Sequence, residues 1–260
     1  MFSRIAGFLY GVFCYGISMA MFVYAMGFLA NIGVAKTLDS VPYTPFMHAL
    51  AVDIGLLLLF AVQHSVMARQ GFKRMWTRIV PAQMERSTYL LFSSAALLFV
   101  FLKWEPMGGV IWNIKSAGGK YAMYGLYVVG WLIVLAATFL INHFDLFGLR
   151  QVWLNLRGRK YTGLLFRTPG FYRFVRHPLY VGWLLVFWSA PRLTAAHLVF
   201  AAVTTLYILV AIQFEERDLV RVHPEYAEYR TRVPMLIPVG SATGSRGAQM
   251  LTQRNQEAEV

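Results

Sequence analysis

Few residues in this 260-residue chain are equipped for chemistry, and they come in tight groups. Arg176-His177-Pro178 stands directly before the aromatic, apolar run 179–190, within the stretch FVRHPLYVGW. Glu215 and Glu216 are adjacent carboxylates at the end of the next apolar run, in FEERDL. Gln63 and His64 lie near the end of an earlier run that also holds Asp53, and Asn142, His143 and Asp145 close another. Ionisable groups at membrane depth are costly, so each is a functional candidate by default. An arginine beside a helix N-terminus suits a carboxylate. Twin glutamates opposite it suit an ammonium group and hydroxyls, while Tyr180, Trp183 and Tyr229 can cover a flat ring or approach a cation. Arg176 and Glu215 can equally pair with each other. A histidine, titrating near neutral pH, suits proton transfer.

The elements that must position these groups are membrane helices. The chain is 58% hydrophobic and 14% charged, with mean hydropathy +0.52, well beyond an ordinary soluble domain. Residues 5–35, 46–68, 87–102 and 121–141 form apolar runs of which only the second contains a carboxylate. A bilayer core of ~30 Å takes about 20 helical residues, so each run predicts a spanning helix. The last apolar region is split by Pro191-Arg192 into 179–190 and 195–214. The first piece rises only roughly 18 Å as a helix. Either it begins earlier, taking in 171–175, or the two pieces form a hairpin that breaks at Ala190-Pro191. The hairpin puts His177 and Glu215 on one side of the membrane. The expected fold class is all-α: a polytopic integral membrane protein of about five transmembrane helices, with a split C-terminal hairpin and a cytosolic C-terminal helix within 223–238.

Nineteen of the 24 Lys and Arg residues fall in alternate segments, before residue 5, over 69–86, over 150–176 and after 216. The positive-inside bias then places both termini and the two long basic loops in the cytoplasm, consistent with a bacterial inner membrane. Juxtamembrane charge of this kind suits anionic lipid, not nucleic acid. The first apolar run is too long for a signal-peptide core and is read as a retained helix. Cys14 is the one cysteine, so no internal disulfide forms, and scattered histidines predict no metal site. Residues 1–145 are expected to form the substrate side, 146–239 the ligand-binding region and 240–260 a mobile polar tail.

A ligand with a carboxylate, an ammonium, hydroxyls, an aromatic base and a sulfonium satisfies the first set of groups, and S-adenosylmethionine is such a molecule. Beyond spacing, TPGFYRFVRHPLYVGW followed by EERDLVRVHPEYAEYRTRVPMLIP resembles the C-terminal half of the isoprenylcysteine carboxyl methyltransferase and phospholipid methyltransferase superfamily. FAVQHSVMAR, ERSTYLL and NHFDLFGLRQVW resemble its methanethiol S-methyltransferase branch, which neighbours the NnrU-like membrane proteins. The resemblance implies S-adenosylmethionine bound from the cytosolic side through Arg176, His177, Tyr180, Gly182, Glu215, Glu216 and Tyr229, with S-adenosylhomocysteine as product and no metal. It implies in-line methylation of methanethiol to dimethyl sulfide. The proton acceptor favoured is His64, then His143, with Asp145 orienting it. The alternatives are a lipid or prenylcysteine methyltransferase, a non-enzymatic membrane binding or transport-accessory protein, and a nicotinamide-dependent reductase.

Overall fold

The computed structural model describes residues 2–238, so the tail expected over 240–260 lies outside the described residues. The helices are α1 (Phe2–Ala30), α2 (Phe46–Ala68), α3 (Gln70–Trp76), α4 (Glu85–Lys103), α5 (Ala117–Ile141), α6 (His143–Leu146), α7 (Leu149–Leu156), α8 (Pro178–Trp188), α9 (Ala195–Val222) and α10 (Tyr226–Arg232). Among the described residues, α1, α2, α4, α5 and α9 are the five long and apolar enough to cross a bilayer. The apolar runs therefore mark the spanning helices, although α1 stops at Ala30, short of the expected 35. Asn31 takes a left-handed φ of 60° there, and Ile32 N–H donates to Gly27 C=O at 2.9 Å. This capping geometry satisfies a carbonyl that the helix end would leave open.

The hairpin reading holds. Residues 170–173 form only a 3-10 turn, and His177, at φ −125°, is not helical. Helix α8 is therefore 11 residues long, about 16 Å, and cannot span alone. The break after it is tied down at the face opposite the basic loops. There β1 (Val110–Asn113) pairs antiparallel with β2 (Arg192–Thr194), a small sheet that the all-α expectation lacked. Trp112 Nε1 donates to Ala190 C=O at 3.0 Å. In the 31–45 loop, Asp39 accepts from Thr194 Oγ1 and faces His197 Nδ1 at 3.6 Å. Burial pushes the Asp39 carboxyl up, but the nearby His197 imidazole and the hydrogen bond from Thr194 outweigh it and hold the group below the usual carboxylate range. Helix α9 runs on past Phe214 to Val222, so Glu215 and Glu216 lie inside a helix and not at its end.

The extensive packings are α8 on α5 and α9, α2 on α9 and α4, and α1 on α4 and α7. The α5–α8 crossing is the closest. A Cβ on Gly182 would lie 2.8 Å from Gly130 C=O and from Val134 N, and one on Gly130 would lie 2.9 Å from Gly182 C=O. Both glycines let two backbones touch where hydrophobic driving force between helices is weak. Gly182→Ala is expected to cost about 1–3 kcal/mol by overpacking, read as a lower thermal unfolding midpoint in detergent. Gly125→Ala on the partner helix α5, where a Cβ meets open space, should not lower it.

Candidate active site

Proline at the first turn of α8 forfeits no hydrogen bond, because the N–H at that position has no helical partner. Pro178 thus fixes His177 as the N-cap and Arg176 immediately before it. The α8–α9 hairpin returns Glu215 and Glu216 to the same end. Arg176 Nε donates to Glu216 Oε1 at 2.7 Å and His177 Nε2 donates to the same oxygen at 3.0 Å. Tyr226 hydroxyl adds a third donor at 3.3 Å, and Arg230 Nη1 lies 3.8 Å from Oε2. Arg176 Nη1 also donates to the carbonyls of Arg230 and Val233, at 2.9 and 2.6 Å. The backbone N–H groups of Arg176 and His177 donate to Pro234 and Met235 carbonyls, at 2.9 and 3.2 Å. Glu216 is therefore a clamp that joins the hairpin to residues 226–235. Arg176 pairs with Glu216, not with Glu215.

Glu215 is built differently. Its side chain is 45% exposed against 7% for Glu216. Among the described residues its only hydrogen bond comes from Tyr180 hydroxyl, at 2.9 Å, with His177 Nδ1 at 4.0 Å. One carboxylate is buried under three donors and its neighbour is open. Arg176 Nη2 likewise donates to no acceptor among the described residues. Nearby, burial and the charge of Glu215 push the Tyr172 phenol up, and burial pushes Tyr229 up to about 12. Both stay protonated. Tyr229 spends its hydroxyl on the Tyr172 carbonyl at 2.5 Å. Gly182 lies against α5, in the crossing described above.

Upstream, His64 stacks on Phe60 at 5.3 Å. Tyr89 hydroxyl lies 2.9 Å from its Nε2 and 3.1 Å from its Nδ1, and Ser93 Oγ lies 3.2 Å from Nδ1. Tyr89 and Tyr207 are within electrostatic reach of Tyr180, and Tyr207 hydroxyl bonds Ser65 at 3.1 Å. His64 thus sits between α2 and α4, held by hydroxyl groups of α4. His143 is held elsewhere. Thr138 hydroxyl donates to Leu135 C=O at 2.7 Å, so its oxygen accepts from His143 Nδ1 at 2.9 Å. His143 Nε2 is left to accept from Tyr15 hydroxyl at 2.9 Å. Burial keeps this imidazole below its ordinary pKa, hence neutral. Asp145 accepts from Arg150 Nη1 at 2.8 Å and Tyr161 hydroxyl at 3.3 Å. Orientation of His143 falls to Thr138 and Tyr15, and the two histidines sit on different helix pairs. Sequence reasoning missed these hydroxyl partners; Ser93, Tyr89 and Thr138 were visible only as polar residues inside apolar runs. Among the described residues no group of three or more His, Cys, Asp or Glu side chains is placed to hold a metal ion.

Fold and site define a polytopic membrane protein with a charged, tyrosine-rich cluster at the mouth of a broken helix hairpin. The chain is 59% identical to the methanethiol S-methyltransferase of Crocosphaera subtropica, covering 91% of this chain and 93% of that one. It is 49% identical to the methanethiol S-methyltransferase of Mycobacterium tuberculosis over 88% of this chain and 95% of that one. Nurim of Homo sapiens is 33% identical over 65% of this chain and 68% of its own length. No protein-family model and no solved structure matches. The chain belongs to the methanethiol S-methyltransferase family.

The two glutamates should separate experimentally. Removing one member of a buried ion pair costs about 3 kcal/mol or more, so Glu216→Gln should lower the unfolding midpoint and expose residues 226–235 to protease. Glu215→Gln should leave both measurements at wild-type values.

Proposed function

We propose that the chain methylates methanethiol to dimethyl sulfide, with S-adenosylmethionine as methyl donor. The observation that carries this reading is Glu215, a carboxylate with one tyrosine partner and nearly half its surface open, beside a neighbour fully consumed by the fold. The residues present fit such a donor. Glu215 can take its ammonium or ribose hydroxyls, the open Nη2 of Arg176 its carboxylate, and Tyr172 and Tyr180 its ring. Glu216 and His177 hold that arrangement in place, and Tyr229 does so through Tyr172. Gly182 acts by setting the depth of α8 against α5. When bound, S-adenosylmethionine supplies a sulfonium methyl for in-line displacement and departs as S-adenosylhomocysteine.

The remaining task is the thiol proton, since the thiolate is the competent nucleophile and an alkyl thiol is mostly protonated at neutral pH. His64 takes it. Phe60 stacks on one face of the ring and the hydroxyls of Tyr89 and Ser93 engage both ring nitrogens, so the thiol proton reaches His64 through one of these hydroxyls, with no carboxylate partner among the described residues. His143, locked between Tyr15 and Thr138, is the second candidate, and Asp145 supports the α6–α7 corner through Arg150. Residues 1–145 thus supply the thiol side and 146–239 the donor side. The positive-inside distribution puts both termini and the pocket in the cytoplasm, in a bacterial inner membrane.

Purified protein given methanethiol and S-adenosylmethionine should release dimethyl sulfide into the headspace, with S-adenosylhomocysteine formed in equal amount. His64→Ala should lower kcat by about 10²–10⁴-fold, the range of a lost general base, with donor affinity kept. Absence of dimethyl sulfide from wild-type protein contradicts the function; full turnover in His64→Ala contradicts the base.

A further inference from the structure

The helices form a ring that is closed by backbone packing almost everywhere. Helix α8 packs on α9, α9 on α2, α2 on α4, and α4 on α1. The remaining seam, between α1 and the α5–α8 pair, is bridged chiefly by side chains. Phe22 of α1 stacks on Trp183 of α8, with ring centroids 5.9 Å apart and planes 23° apart. It also meets Trp131 of α5 edge-on at 6.4 Å and Phe147 at 5.8 Å. Trp183 touches Trp131 at 5.0 Å and stacks on Phe187 at 5.5 Å. On one side of this plug Tyr127 hydroxyl donates to Met26 C=O at 2.7 Å; on the other Tyr15 bonds His143 and meets Phe147 edge-on, beyond which α7 packs on α1. Trp183 stands one helical turn from Tyr180, the partner of Glu215, so the plug backs directly onto the pocket.

We propose that Phe22, Trp131 and Trp183 form a size filter, closing the one side of the pocket that would otherwise open to lipid and restricting the acceptor to the smallest alkyl thiols. This rests on the proposed methyl transfer and specifies its substrate class. A lipid or prenylated acceptor needs a lateral groove for its chain. Here the seam between α1 and the α5–α8 pair, the breach in the ring's backbone packing among the described residues, is filled by three large rings. Cutting back Phe22 or Trp183 removes wall, not polar groups, and turns the seam into a channel that an alkyl chain can enter.

The test is an acceptor series, methanethiol, ethanethiol, 1-butanethiol and 1-hexanethiol, run on the full chain in detergent for wild type, Phe22→Ala and Trp183→Ala. Donor affinity is measured in parallel. Each methylene accommodated or refused is worth about 10–200-fold in kcat/KM. Wild type should favour methanethiol steeply. Both variants should raise the hexanethiol-to-methanethiol ratio by at least about tenfold, with donor affinity kept. Phe28→Leu, which thins an aromatic contact with Phe101 away from the seam, should leave the ratio unchanged. Should the alanine variants fail to fold, Phe22→Leu and Trp183→Leu carry the same comparison. An unchanged ratio in folded, donor-binding variants overturns the size filter while leaving methyl transfer intact. A wild-type protein that methylates no thiol removes the underlying function and the filter with it.

Discussion

A carboxylate near the bilayer is tolerable only when its charge is met by donors, because an unpaired ion there costs several kcal/mol. Glu216 imposes that constraint on this protein. It lies within a spanning helix, and three donors converge on one of its oxygens: Arg176, His177 and Tyr226. To deliver them, α8 must begin at Pro178, the chain must reverse after Trp188, and the C-terminal segment must come back over both. The shortness of α8, the C-terminal strap and the orientation of Arg176 all follow from neutralising one side chain.

The same constraint creates the open site beside it. Successive residues on a helix point about 100° apart, so when Glu216 faces the clamp, Glu215 faces away from it, toward Tyr180. The clamp supplies stability and the neighbour supplies a free acceptor. A site built this way needs no extra element to hold it rigid, since the proposed ligand group shares a helical turn with the group that the fold cannot release. Tyr180 donates to Glu215 and Tyr229 to the Tyr172 carbonyl, and burial keeps Tyr172 and Tyr229 neutral, which leaves Glu215 as the open anion of the group.

Much of this was legible in the sequence. The spanning helices are apolar runs whose lengths match a bilayer, and Pro178 and Pro191 marked where the last pair had to start and break. The meeting of FVRHP with FEERDL followed from a segment too short to cross. What was not legible depends on contacts between helices, which spacing along one chain does not encode. Adjacent glutamates look alike in a sequence, and only the rotation of α9 assigns one to the clamp. Gly182 stood among ligand residues by resemblance, yet its neighbours are Gly130 and Val134, because a missing Cβ serves close packing as readily as ligand approach. The sequence singled out His64 and His143 as candidates, but not Tyr89, Ser93, Tyr15 or Thr138, which hold them. The β1–β2 pairing was missed because three or four residues of strand leave no periodic signal.

The claim on which the rest depends is that Glu215 binds the donor and Glu216 holds the fold. Equilibrium dialysis of S-adenosylmethionine against wild type and Glu215→Gln, at a temperature where both are fully folded, tests it most directly. The account predicts that Glu215→Gln weakens binding at least about tenfold, the equivalent of one lost charge-assisted hydrogen bond, in a protein that melts like wild type. Wild-type affinity in Glu215→Gln would contradict it.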